Sequence, residues 1–220
     1  MALKGYKGIG MEGFIARWYD KNAREHSMEQ YKIWAQKLAA RISKGNKILE
    51  VAPGPGYLSI ELAKRGFLKI SGLDISETFV EIAGENAKKA KVQINFMHGD
   101  ASNMPFEDGT FDNIICTAAF KNFKEPANAI HEMYRVLTLH GVAWIGDMRY
   151  DASAEEINEY VDTVMKAKGF NAFIMKSIFK SFLRKRAYTR EQFVEFISET
   201  RFRDYEIQEV PVGFEIFLIK

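Results

Sequence analysis

Three acids and two glycines in this chain have the types and spacing needed to hold a cationic nucleoside. Glu50 precedes Val51-Ala52-Pro53-Gly54-Pro55-Gly56, a turn that closes the apolar run Ile48, Leu49, Val51. Gly54 and Gly56 tolerate unusual φ and let the backbone press against a ligand, although Gly-Pro-Gly alone also makes an ordinary tight turn. The acids downstream separate the two readings. Asp74 ends Ser71-Gly72-Leu73, where a carboxylate beside the glycine turn can accept hydrogen bonds from two ribose hydroxyls. Asp100 follows Met97-His98-Gly99; it can receive the exocyclic amine of adenine while the Ala101 N–H meets a ring nitrogen. Glu50 then faces the amine of a charged amino-acid tail, directly or through water.

Such residues work only if strand ends present them side by side. Short runs rich in Ile, Val, Leu and Phe at 48–51, 68–73, 92–97, 111–117 and 142–148 predict five parallel strands. Helical apolar periods at 57–64, 77–90 and 126–137 separate them, so the fold class is α/β, a doubly wound sheet with helices on both faces. The runs 205–210 and 214–219 are joined by Pro211, Val212 and Gly213, a connection short enough to require an antiparallel hairpin. Helices are predicted at 13–23 and 28–43, and three more in 151–200. The expected organisation is an N-terminal helical cap over 1–45, a core over 46–150, a helical lid insertion over 151–200 and a hairpin over 201–220 that completes the sheet. Cap and lid would cover the carboxyl ends of the strands, where open α/β sheets bind their ligands.

Taken jointly, Glu50-Val-Ala-Pro-Gly54-Pro-Gly56, Asp74, Gly99-Asp100-Ala101 and the segment from Phe111 through Lys121-Asn122-Phe123 resemble the class I S-adenosylmethionine-dependent methyltransferases over roughly residues 46–149. The stretch from Lys121-Asn122-Phe123 to His131-Glu-Met-Tyr-Arg-Val-Leu looks most like the ubiquinone and menaquinone biosynthesis branch. The resemblance implies a Rossmann-like sheet of seven strands with a C-terminal antiparallel strand. It implies S-adenosylmethionine as donor, S-adenosylhomocysteine as product, no metal, and transfer of a methyl group to O, C or N of a small apolar or aromatic acceptor. Carried over position by position, the donor site would comprise Glu50, Ala52, Pro53, Gly54, Gly56, Asp74, Ile75, Gly99, Asp100, Ala101, Cys116 and Thr117. A nicotinamide-dependent oxidoreductase competes, because Gly54, Gly56 and Asp74 fit half a dinucleotide fingerprint; Ser59 takes its third glycine position. A protein that binds the donor without chemistry is the other alternative.

The chain departs from the family where Ala52 replaces a glycine, which costs little if φ there is negative, and where Pro53 and Pro55 stiffen the turn. Lys121 stands where many members carry a histidine, so no general base transfers by analogy. Positioning donor and nucleophile in line can itself lower a barrier by roughly 7–11 kcal/mol in favourable cases. Tyr19, Lys121, Asp147 and Arg149 are the candidates for moving a proton near the acceptor.

Other classes lose support. A net charge of +2 does not by itself call for nucleic acid, and no run is long enough to span a bilayer. The N-terminus lacks the apolar stretch of a signal peptide, and the single cysteine, Cys116, cannot form an internal disulfide, which together fit a cytoplasmic setting. His26, His98, His131 and His140 have no metal-ligand spacing. The fourth strand ends in Cys116-Thr-Ala-Ala, not the Asn-Pro-Pro-Tyr type of sequence that holds planar amines. Residues 171–190 carry Lys176, Lys180, Arg184, Lys185, Arg186 and Arg190 and no acid. Apolar residues recur there as Ile174, Ile178, Phe182 and as Met175, Phe179, Leu183, predicting an amphipathic helix with a basic outer face. It would lid the pocket, or touch an anionic membrane or phosphates. In the lid reading Phe170, Phe173, Phe179, Phe182, Trp18 and Tyr19 would help form an apolar chamber.

Overall fold

A computed structural model describes residues 5–7 and 10–220. Seven strands form one sheet in the order β3-β2-β1-β4-β5-β7-β6. They are β1 (Ile48–Val51), β2 (Ile70–Asp74), β3 (Asn95–His98), β4 (Phe111–Thr117), β5 (Leu137–Met148), β6 (Asp204–Val210) and β7 (Gly213–Ile219). The first five are parallel, and β7 inserts antiparallel between β5 and β6. This is the Rossmann-like architecture and terminal hairpin expected above.

The helices between strands are α3 (Tyr57–Lys64), α4 (Glu77–Lys89) and α5 (Pro126–Val136). Ahead of the sheet lie α1 (Gly13–His26) and α2 (Met28–Ala39). Strand parity sorts side chains into two cores. Ile48, Ile70, Ile115, Trp144 and Phe217 pack with α2 and α3 on one face. Leu49, Ile114, Cys116, Ile145 and Leu218 pack on the other with α5 and with Phe193 and Ile197 of α9 (Arg190–Ser198).

Three strands begin two or more residues from where the sequence reading puts them. β2 begins two residues late because Phe67 turns into the core while Leu68 stands 79% exposed. Residues 92–94 precede β3, since the Val92 N–H closes the end of α4 on the Ala87 carbonyl at 3.1 Å. β5 starts at Leu137, directly from α5, and passes His140 at φ 65°. No turn residue marks that junction.

The insertion after β5 holds α6 (Ala154–Glu159), running on as a π-helical stretch Tyr160–Val164. It is followed by α7 (Gly169–Ile178), a second π stretch Phe179–Leu183, α8 (Arg184–Arg186) and then α9. Met175, Phe179 and Leu183 face inward onto Ile157 and Val161. The aromatic chamber is therefore corrected in part: Phe170, Phe173, Phe182 and Trp18 are 76%, 69%, 52% and 47% exposed, and of the four phenylalanines expected to line it only Phe179 packs inward, against Tyr160 at 5.9 Å. The basic outer face is also incomplete. Lys176 pairs with Asp162 at 2.7 Å, Arg184 donates to the Ala152 carbonyl at 3.1 Å, and Arg186 donates to Asn122 at 3.3 Å. Among the described residues no helix is long and apolar enough to cross a membrane.

Candidate donor and acceptor site

The first two strands end side by side and place two buried carboxylates at their carboxyl ends. Glu50 shares the parity of Ile48, so its side chain turns toward α3, where it accepts from the Ser59 N–H at 3.0 Å and from the Ser59 hydroxyl. Ser59 is the third residue of α3, and the acid thus satisfies an amide the helix leaves free. The serine at the third fingerprint position serves the acid instead of a pyrophosphate. Burial raises the Glu50 carboxyl to about 7, against the lowering effect of Ser59, with the nearby Asp74 charge adding to the rise. Asp74 accepts from the Gly54 N–H and the Ser76 N–H, both at 2.9 Å. Burial brings it to about 6, offset by those two amides. No Lys or Arg pairs with either acid among the described residues.

The turn between them separates its two glycines. Gly54 lies at φ 54°, and a Cβ built there meets nothing within 4 Å. Gly56 lies at φ 79°, and its Cβ would come within 2.8 Å of the Phe96 ring and 3.0 Å of Ala83. Gly54 therefore fronts open space while Gly56 admits β3 and α4. Ala52 has φ 55°, not the negative value under which alanine is cheap. Ala118, just past β4, is left-handed as well, at 54°. A non-glycine residue in this region costs about 1–2 kcal/mol, and such strain collects at functional sites.

Asp100 accepts from the Ser102 N–H at 2.9 Å and the Ser102 hydroxyl at 2.8 Å through one oxygen. The other faces Gly5, where a Cβ would fall 2.3 Å from Asp100 Oδ2 and 2.7 Å from Ile75. Residues 5–7 thus roof this end of the site. Tyr6 bridges to Phe123, the Lys7 N–H donates to the Asn122 carbonyl at 2.8 Å, and the Lys124 N–H donates to Gly5 at 3.0 Å. Gly99 admits the Leu73 side chain, Ala101 is buried, and Cys116 lies wholly in the core, where burial pushes its thiol up; only its backbone can serve a ligand.

The candidates for proton transfer come together unequally. Asp147, near the end of β5, accepts from Lys121 Nζ at 2.9 Å, the Lys121 N–H at 2.8 Å and the Met148 N–H at 2.7 Å. Both side chains of this pair are almost wholly buried. Arg149 turns away to Asp151, at 3.0 Å, and to Glu156 of α6. Tyr19 packs edge-on to Phe79 at 5.8 Å. Burial pushes up the hydroxyls of Tyr6, Tyr31 and Tyr160, and the Tyr19 hydroxyl adds to each rise.

Sequence reasoning missed the residues that fasten the cap. Asp20 of α1 accepts from the Tyr57 hydroxyl at 2.7 Å and from Asn86 at 3.1 Å, and Asn86 also donates to the Pro55 carbonyl at 3.1 Å. Glu12 accepts from the Glu77 and Thr78 amides at 3.0 and 3.1 Å, capping α4 from outside. Tyr57 directly after Gly56 was the one local signal of this clamp.

Residues 49–145 match the family model described as a methyltransferase domain. Demethylmenaquinone methyltransferase from Staphylococcus epidermidis is 33% identical over 132 residues, 58% of this chain and 54% of that protein. The chain thus spans about half the length of the curated relatives it matches. A crystal structure from Methanococcus maripaludis, provisionally assigned as an S-adenosyl-L-methionine-dependent methyltransferase, aligns with TM-score 0.76 and 26% identity over 97% of this chain and 95% of that one. The fold is that of the class I S-adenosylmethionine-dependent methyltransferases. An S-adenosylmethionine-dependent methyltransferase from Aquifex aeolicus shares this fold at TM-score 0.66 and 17% identity, over 93% of this chain and 96% of that one.

Glu50, Gly54 and Asp74 lie at the carboxyl ends of β1 and β2, the place where open α/β sheets bind their ligands. The antiparallel β7 distinguishes the sheet from an all-parallel dinucleotide fold. S-adenosylmethionine fits the donor set: two buried acids without a protein cation suit its ammonium and ribose, and the space over Gly54 admits it. Among the described residues no three His, Cys, Asp or Glu side chains gather to hold a metal ion.

Proposed function

We propose that the protein transfers a methyl group from S-adenosylmethionine to an oxygen, carbon or nitrogen of a small, largely apolar or aromatic acceptor. One observation carries this reading: Glu50 and Asp74, both buried and both raised, flank the open face of Gly54 with no Lys or Arg to neutralise them. A cationic ligand relieves that cost, and S-adenosylmethionine when bound supplies an electrophilic methyl group.

Asp74 takes the ribose hydroxyls, Glu50 the amino-acid tail, and Asp100 with Ala101 the adenine edge. Ala52, Pro53, Ile75, Gly99, Cys116 and Thr117 border the donor through their backbones. The Lys121–Asp147 pair fixes the adjoining ends of β4 and β5, while Arg149 ties β5 to the lid. Tyr19, packed on Phe79 and 36% exposed, is the hydroxyl that would orient an acceptor.

Titration calorimetry with S-adenosylmethionine and S-adenosylhomocysteine tests the reading. Both bind competitively if it holds. Absence of binding by either at millimolar concentration overturns it, and enhancement of NADH fluorescence on mixing would favour the oxidoreductase.

A further inference from the structure

A second recess, of about 420 Å³, opens where residues 5–7 meet the junction of α8 and α9. Lys7, Lys185 and Arg186 line it, with Tyr150, Tyr188 and Thr189. Among the described residues none of the three cations has a carboxylate within salt-bridge distance. Their partners are neutral. Lys7 donates to the Tyr188 hydroxyl and sits 4.1 Å from that ring's centre. The Arg186 guanidinium stacks on Phe182 at 4.1 Å and donates to Asn122.

Two like charges facing each other at the margin of a core are costly unless an anion joins them. Burial and the neighbouring Arg186 both lower Lys7, and Asp147, the one acid that raises it, is already held by Lys121. Tyr188 is pushed up to about 12 by burial, so its hydroxyl keeps its proton and can donate. The position is also rigid. The Tyr150 N–H donates to the Tyr188 carbonyl at 3.1 Å, and Arg149 bridges to Tyr188, stitching the recess to the end of β5. Its location matters for the reaction: residues 5–7 run from Gly5, which lies against Asp100 and Ile75, to Lys7 at the recess, so the recess opens beside the candidate donor site.

We propose that this recess binds an anionic group, a carboxylate or a phosphate, carried by the methyl acceptor, with Arg186 as its forked partner and Lys7 and Tyr188 completing the contact. The proposal rests on the methyltransferase reading for the word acceptor; the anion site itself stands on Lys7, Arg186 and Tyr188. The acceptor then has an apolar or aromatic body and one charged end, and that end fixes its register against the donor.

Calorimetric titration with inorganic phosphate and, separately, with benzoate, in chloride buffer with and without saturating S-adenosylhomocysteine, tests this. At least one anion is expected to bind at millimolar concentration, and which one binds tells phosphate from carboxylate. Arg186→Gln should weaken that binding by roughly tenfold or more, and Lys7→Gln severalfold, as expected for lost charge-assisted hydrogen bonds. Lys88→Gln, an exposed cation on α4, should change nothing. Melting temperature should hold in Lys7→Gln and Arg186→Gln, and S-adenosylhomocysteine affinity in Arg186→Gln, so that loss of anion binding is not loss of fold. No binding of either anion to the wild type at about 50 mM, or equal binding by wild type and Arg186→Gln, overturns the proposal. Anion binding without any S-adenosylhomocysteine binding overturns the methyltransferase reading and the acceptor role, and leaves the anion site standing.

Discussion

Replacing Glu50 with glutamine should make the ligand-free protein more stable at pH 8 while leaving it nearly unchanged at pH 4. Glu50 is 2% exposed and its carboxyl is raised from 4.5 to about 7, with burial as the main cause. A carboxyl raised by folding contributes stability below its unfolded value, and that contribution is lost as pH climbs through the folded one. The loss therefore develops between about pH 4.5 and pH 7. A displacement of this size corresponds to about 3 kcal/mol in order of magnitude. Glutamine keeps an oxygen to accept the Ser59 amide and carries no charge to desolvate, so the variant escapes the loss. For a chain of this length the gap is roughly 6–12 °C in melting temperature. The assay is thermal unfolding of both proteins from pH 4 to pH 8, read as their difference, because paired acids such as Glu12, Glu61 and Glu132 are lowered and tilt both curves the other way. Equal gaps at pH 4 and pH 8, or a wild type that gains on the variant as pH rises, would refute the reasoning. The same variant should bind S-adenosylhomocysteine more weakly, the usual exchange of stability for function.

Lys121→Met should cost about 3–5 kcal/mol, because it strands Asp147 in the core, and adding Asp147→Asn should recover more than half of it in urea unfolding. The two loop glycines should behave differently. Gly56→Ala is expected to lower stability by about 2–3 kcal/mol through collision with Phe96 and Ala83, whereas Gly54→Ala costs about 1 kcal/mol of backbone strain and shows chiefly as lost S-adenosylhomocysteine affinity.

Much of this architecture was legible because the parallel strands are short apolar runs with clear limits. β4, over Phe111–Thr117, was read correctly at both ends. The acids at strand ends were legible too, since a carboxylate closing a buried strand has few structural uses. Two kinds of information were not local. The contacts of Asp20 and Glu12 bridge 37 to 66 residues, and nothing beside either acid names its partner. In the insertion after β5, two apolar ridges at helical spacing compete for the interior, and the π stretch Phe179–Leu183 shifts the register between them. Periodicity could not decide that Met175, Phe179 and Leu183 face inward. The left-handed backbone at Ala52 was equally hidden, because alanine carries no mark of positive φ.

The roof over Asp100 also orders events in time. Residues 5–7 are near the beginning of the chain, yet they rest on Asn122 and Phe123, and Lys7 meets Tyr188 across 181 residues. A polypeptide leaving the ribosome can pair β1, β2 and β4 long before Tyr188 exists. Residues 5–7 gain their seat on Asn122 and Phe123 only after β4 is made, and Lys7 lacks its Tyr188 partner until the insertion after β5 follows. Closing so long a loop is entropically costly and comes after local pairing, so the pocket is completed late in folding. A chain halted before Tyr188 would hold five of the seven strands while leaving the roof unfastened at Lys7.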